Sequence, residues 1–156
     1  MVSLPPVWLL NGPNLNLLGT REPERYGHAS LQDIVAALSD RAETLGLPFD
    51  ARQSNHEGEL IDWLHAAPRE KVGAVILNAG GYTHSSIALR DAVAAIPTPV
   101  IELHLTNIHA RERFRRRSLL APVAVGSIQG FGAHGYTLAL DAAHRIVLDA
   151  RTRSDA

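Results

Sequence analysis

The 156-residue chain is one domain's worth of polypeptide, long enough to bury a core without covalent staples. With 46% hydrophobic and 20% charged residues it is composed as a globular protein and not as a disordered one. It has no cysteine, which excludes disulfides, thiolate nucleophiles and cysteine metal sites, and its formal net charge of −1 gives no overall attraction to nucleic acid or membrane. The N-terminus lacks the basic start of a signal peptide, and no stretch approaches the length of a membrane span. The expectation is a cytoplasmic protein with a single domain over 1–150 and a frayed tail over 151–156.

Taken in chain order, Val7-Trp8-Leu9-Leu10 reads as a short buried strand, broken by Gly12-Pro13. Behind it lie Asn14 and Asn16, then a polar loop carrying Arg21, Arg25 and Tyr26 between Gly19 and Gly27, composed as a lid. Ser30 can cap a helix whose apolar face is Leu31, Ile34, Val35, Leu38 and Ala42, and Gly46 and Pro48 stop it. Pro48 to Gln53 is a weak strand. Leu60, Ile61, Leu64 and Ala67 mark a second helix closed by Pro68. Val72 to Leu77 is a buried strand that ends in Asn78-Ala79-Gly80-Gly81-Tyr82-Thr83-His84-Ser85, and a third helix follows from Ser86 to Ala95. Pro99 to His104 is a fourth strand, Arg111 to Arg117 a short basic helix, Pro122 to Ile128 a fifth strand, and Tyr136 to Ala150 a closing helix. Strand and helix alternate, which predicts a doubly wound α/β fold. Five strands in this length favour the flavodoxin-like parallel order 2-1-3-4-5, whose switch point lies between the first and third strands.

The polar residues fall where such a sheet binds ligands. Asn14 and the lid follow the first strand, Asn78 and His84 the third, and Glu102 and His104 end the fourth, with Thr106, Asn107, His109, Arg111 and Arg115 just beyond. All lie at the carboxyl ends of neighbouring strands, so one cleft can hold them. Loops are polar in any protein, but convergence from three of them points to a site. Glu102 and His104 are two apart on a strand and leave the same face. A carboxylate there fixes the imidazole tautomer and suits it to act as a general acid near neutral pH. His84 can contact a ligand or cap the next helix. His28, His56, His65, His134 and His144 read as surface or packing residues.

Three further features narrow the chemistry. Lys71 is the only lysine and stands at the amino end of a strand, on the wrong side of the sheet for a Schiff base in the cleft. Gly130-Phe131-Gly132-Ala133-His134-Gly135 matches a dinucleotide fingerprint by letter, but it follows the last strand and no βαβ unit is completed, so a tight turn is expected and no nicotinamide cofactor. No metal-ligand cluster stands out. The run Arg111, Arg113, Arg115, Arg116 and Arg117 is short, and Arg111 and Arg115 are spaced to share a face and meet an anionic or hydroxylated substrate.

Leu10-Asn11-Gly12-Pro13-Asn14-Leu15-Asn16-Leu17-Leu18-Gly19, followed by Arg21-Glu22-Pro23 and Tyr26-Gly27, resembles the opening signature of the type II 3-dehydroquinate dehydratases. The resemblance continues through Leu77 to Ser86, through Glu102 to Glu112 with Arg115, and in Gly130-Phe131-Gly132 with Gly135-Tyr136. Thr106, where many relatives carry Ser, and the arginines at 116 and 117 depart from the pattern without touching a catalytic position. The resemblance implies anti elimination of water from 3-dehydroquinate through an enolate to give 3-dehydroshikimate, with no cofactor, metal or imine. It implies Tyr26 as the base, helped by Arg21, and His104 oriented by Glu102 as the acid. Asn14 would hold a water at the enolate oxygen. Asn78, His84 and Arg115 would bind substrate hydroxyls, and main-chain N–H groups around Leu105 and Thr106, with the Thr106 hydroxyl, the carboxylate. It further implies a homododecamer built as a tetramer of trimers, in which Asp91 reaches a neighbouring subunit's site. The reaction would serve the shikimate pathway and aromatic amino acid biosynthesis, or quinate breakdown. Two readings from other classes stay open on the residues alone: a flavodoxin-like module binding a flavin or small anion without chemistry, and a nucleic-acid binder using the basic run.

Overall fold

A computed structural model describes residues 3–20, 24 and 28–156. The expectations for Arg21 and Tyr26 fall outside these described residues. In chain order the elements are β1 (Val7–Asn11), α1 (Leu31–Thr44), β2 (Phe49–Gln53), α2 (Glu57–Arg69), β3 (Ala74–Asn78), α3 (Ile87–Ala95), β4 (Val100–His104), β5 (Gly126–Gln129) and α4 (His134–Asp155). All strand pairs are parallel and the sheet order is β2-β1-β3-β4-β5, the doubly wound order expected.

The central strands β1, β3 and β4 are buried along their whole length, and side-chain alternation splits their apolar residues between two cores. Val7, Leu9, Ala74, Ile76, Ile101 and Leu103 face α1 and α4. Trp8, Leu10, Val75, Leu77 and Val100 face α2 and α3. Helix α1 begins in a capping box: the Ser30 hydroxyl accepts the Asp33 N–H at 3.0 Å and the Asp33 carboxylate accepts the Ser30 N–H at 3.2 Å. Past its last residue, Thr44, and the cap residue Leu45, Gly46 takes a φ of +66°, the left-handed conformation that closes many helices. Arg41 and Asp141 tie α1 to α4 with a forked contact at 3.0–3.2 Å.

Four local expectations are corrected. The basic segment is no α-helix: after the 3₁₀ turn Ile108–Ala110, Arg111 is extended and a short 3₁₀ turn spans Arg113–Arg115. Arginines four apart (111 and 115, 113 and 117) would repel along a helix, and the only large apolar residue among them, Phe114, stays 69% exposed, so no buried stripe offsets that repulsion. The fifth strand starts at Gly126 and not at Pro122, because Pro122 has no N–H for a ladder and is taken up in a 3₁₀ turn, Ala121–Val123. Pro68 does not close α2 but lies within its last turn, one residue before the end. Helix α4 continues to Asp155, through the positions expected to fray.

The register sets the site. Asn11 pairs with Asn78 and Leu77 with Glu102, so the ends of β1, β3 and β4 stand side by side. The Gly12 N–H donates to the Asn78 carbonyl at 2.7 Å, and a Cβ at Gly12 would lie 2.6 Å from the Ala79 carbonyl oxygen, so only glycine lets these two strand exits approach this closely.

Candidate active site

At the carboxyl ends of β1, β3 and β4 a cleft of about 150 Å³ opens. At roughly 10–15 Å³ per water position, that is room for on the order of ten small polar groups. Asn14, Asn78, His84, His104, Leu105, Thr106 and Arg115 all line it, together with Arg111. Glu102 lies behind His104, 1% exposed. Asp91 is exposed on α3 and does not line this cleft.

The His104 Nε2 lies 2.8 Å from the Glu102 Oε2, and His104 is only 6% exposed. Burial alone would raise the Glu102 pKa, but hydrogen bonds from His104 and Ser118, the nearby imidazole charge, and Ser127 across the β4–β5 ladder together lower it below the ordinary carboxylate range. Glu102 is therefore an acceptor, the His104 Nε2 carries hydrogen, and Nδ1 is the ring nitrogen left to act on a ligand.

His84 follows β3 in the 3₁₀ turn Gly80–His84, and its ring stacks on that of His104 with centroids 6.4 Å apart and planes at 22°. Its Nδ1 donates to the Arg117 carbonyl at 2.9 Å, which leaves Nε2 as the free ring atom. Burial is the main cause that lowers the His84 pKa; the Arg117 carbonyl opposes it, and the His104 and Arg115 charges reinforce it. His84 is thus suited to be a neutral hydrogen-bond acceptor beside His104.

Asn78 is held from below by residues whose role was not read from sequence. Its Nδ2 donates to the Tyr136 hydroxyl at 2.9 Å, that hydroxyl donates to the Asn11 Oδ1 at 2.8 Å, and the Asn11 Nδ2 donates to the Arg52 carbonyl. The Gly80 N–H reaches the Asn78 Oδ1 at 3.3 Å. The Asn78 amide orientation is thereby fixed. Burial raises the Tyr136 pKa far above the ordinary phenol value, so this tyrosine stays protonated and is a structural donor. The readable signal was the pair of strands both ending in asparagine, which need a shared partner where they meet.

Asn14 sits at φ +68°, a left-handed conformation that asparagine tolerates, with its N–H on the Asn55 Oδ1 at 3.0 Å. Arg115 donates to Glu112 at 2.6 Å, and Arg111 reaches the Thr106 hydroxyl at 3.4 Å. The Gly130–Gly135 stretch makes a turn with positive φ at Gly130 and Gly132, and Gly135 packs against Leu103, with a Cβ there 3.2 Å from its Cδ1. Lys71 precedes β3, so a five-residue strand, roughly 16 Å of sheet, separates it from the cleft. Among the described residues, no group of three or more His, Asp and Glu assembles as a metal site.

A doubly wound parallel sheet with an imidazole–carboxylate pair in its carboxyl-end cleft defines an α/β protein built for acid–base chemistry. The model of the Dehydroquinase class II family matches residues 5–144. A 3-dehydroquinate dehydratase of Dinoroseobacter shibae is 58% identical over 135 residues, 86% of this chain and 89% of that one. The 3-dehydroquinate dehydratase 1 of Bradyrhizobium diazoefficiens is 56% identical over 134 residues, 86% of each chain. The crystal structure of the type II dehydroquinase from Butyrivibrio crossotus superposes with a TM-score of 0.89 at 37% identity, covering 91% of this chain and 99% of that one. The chain belongs to the class II dehydroquinase family.

Proposed function

We propose that this chain is a 3-dehydroquinate dehydratase, a hydro-lyase of the shikimate pathway that eliminates water from 3-dehydroquinate to give 3-dehydroshikimate. The observation that carries the reading is the buried Glu102–His104 pair facing the cleft at 2.8 Å in a chain of this family. A base removes a proton from the carbon beside the ketone, the electrons pass to the ketone oxygen as an enolate, and the enolate collapses as the hydroxyl departs with a proton from His104 Nδ1. The substrate loses the elements of water, and the proton taken by the base returns to His104 through solvent before the next turnover, so no further reactant is needed. The base is Tyr26. Its support is that the other two tyrosines are committed: Tyr136 is buried as a phenol, and the Tyr82 hydroxyl donates to the Asn55 carbonyl at 2.8 Å. Arg21 supplies the positive charge that favours the Tyr26 phenolate. Asn14 holds a water at the enolate oxygen, a preorganised donor where charge develops. Asn78, His84 and Arg115 bind the substrate hydroxyls, and Leu105 and Thr106 the carboxylate.

The finer assignments follow from the same reading. The enzyme works in the cytoplasm; among the described residues no helix is long and apolar enough to cross a membrane. It assembles as a homododecamer, a tetramer of trimers. Support comes from Ile87, Phe114, Val125 and Phe131, each more than 60% exposed in the single chain. Ile87 and Asp91 lie four apart on α3, both exposed, which suits a carboxylate delivered at a subunit contact.

Two variants test the chemistry. Tyr26→Phe and His104→Gln are expected to lose at least about a hundredfold in kcat, the usual scale of a general acid or base, while calorimetry still detects 3-dehydroquinate binding. Near-normal kcat in either one removes that residue from its role.

A further inference from the structure

Ser118 follows the basic segment and does not line the cleft, yet its hydroxyl is fully committed. Its Oγ accepts the main-chain N–H of Leu120 at 3.1 Å and of Ala121 at 3.0 Å, and donates to the Glu102 Oε2. A hydroxyl has two lone pairs and one hydrogen. With both lone pairs taken by its own turn, the hydrogen is directed at the carboxylate. The same Oε2 receives the His104 Nε2–H.

The turn that aims this hydroxyl is itself anchored to the site. The Arg117 carbonyl accepts the His84 Nδ1–H, the Leu119 N–H donates to the Thr83 carbonyl at 2.9 Å, and Arg90 donates to the Leu119 carbonyl at 2.8 Å. Adjacent residues 117 and 118 thus hold the two stacked imidazoles, one through a carbonyl and the other through Glu102.

We propose that Ser118 is a positioning residue for the Glu102–His104 pair: its turn-oriented hydroxyl holds Oε2 where it receives the His104 Nε2–H, and so keeps Nδ1 as the proton-delivering atom in the cleft. The proposal rests on the reading of His104 as the acid. The hydroxyl also favours the ionised carboxylate. The other groups around Glu102 are His104 on its own strand, Ser127 from β5, and His84 from the turn after β3, with Arg115 beyond His84.

The test is kcat and KM for 3-dehydroquinate across pH in Ser118→Ala and Ser118→Thr, with His104→Gln alongside. Loss of a hydrogen bond to a charged group predicts that Ser118→Ala lowers kcat roughly ten- to a hundredfold, with KM within about threefold. The acid limb of its kcat profile moves to higher pH, because Glu102 is protonated more easily. Ser118→Thr, which keeps the hydroxyl, recovers most of kcat and the limb. Unchanged kcat in folded Ser118→Ala, an equal loss in Ser118→Thr, or a loss confined to KM or thermal stability overturns the proposal. Should Ser118→Ala fail to fold, Ser118→Cys, a similar shape with a weaker donor, must show the same kcat-only loss in smaller degree; a folded Ser118→Cys with normal kcat refutes it. A normal kcat in His104→Gln instead removes the acid reading itself, whereas an inactive His104→Gln beside a normal Ser118→Ala removes the Ser118 role alone.

Discussion

Two histidines of the same chemistry stand 6.4 Å apart in this cleft and are made different by what each holds behind it. His104 backs onto a carboxylate and is suited to give a proton; His84 backs onto a carbonyl and is kept neutral by burial. Glu102→Gln replaces the anion behind His104 with a neutral amide and is expected to cost about a hundredfold in kcat with little change in KM, checked by steady-state kinetics. Tyr136→Phe leaves the Asn78 Nδ2 and the Asn11 Oδ1 without their shared partner. It should lose about 1–3 kcal/mol in urea unfolding and raise KM, since the freed Asn78 amide no longer points one way. At this scale the sequence showed most of the polar residues that line the cleft, because each ends or follows a strand; Asn107 and His109, expected with them, do not line it. It did not show what fixes them. Tyr136 and Ser118 lie 58 and 16 residues from the groups they hold, and neither a tyrosine at a helix start nor a serine in a turn is unusual enough to be noticed alone.

The elements were legible wherever burial decides their form. Strands β1 and β3 are apolar runs that end in asparagine, β4 is apolar but for Glu102 and His104, and α1 has an apolar face behind a serine cap, so their positions could be read to within a residue or two. The basic segment has the spacing of a helix and yet forms none, because repulsion among its arginines is not offset by a buried stripe. Arg111 and Arg115 reach the cleft even so, carried there by 3₁₀ turns and not by a helix face. The Ser30 cap gives a prediction of modest size: Ser30→Ala should lower stability by about 1 kcal/mol and leave kcat unchanged, read from the urea midpoint. Gly12→Ala should do more harm. Its Cβ would meet the Ala79 carbonyl at 2.6 Å, so the exits of β1 and β3 must part, at a cost of about 1–3 kcal/mol and with loss of activity.

For the molecule as a whole, the parallel sheet gathers every strand's carboxyl end at one edge and leaves Lys71, the only lysine, at the other. The same cleft makes stability depend on pH. His84 has a lowered pKa in the fold, so its contribution is complete above the ordinary histidine value of 6.5 and is lost as pH falls through its folded value. Glu102 is lowered too; its contribution is present above 4.5 and is lost in a second, more acid step as pH falls through its own folded value. Urea unfolding across pH should therefore show stability falling from below about 6.5, and His84→Asn should flatten the upper part of that fall. The central claim is an imine-free dehydration, and the most direct measurement is ultraviolet absorbance after adding 3-dehydroquinate, with and without borohydride treatment of enzyme plus substrate. Dehydration creates a conjugated enone, so absorbance is expected to rise at the same rate in both. A rise abolished by borohydride would mean a trapped imine on Lys71 and contradict the mechanism, and no rise from folded protein would contradict the dehydratase itself.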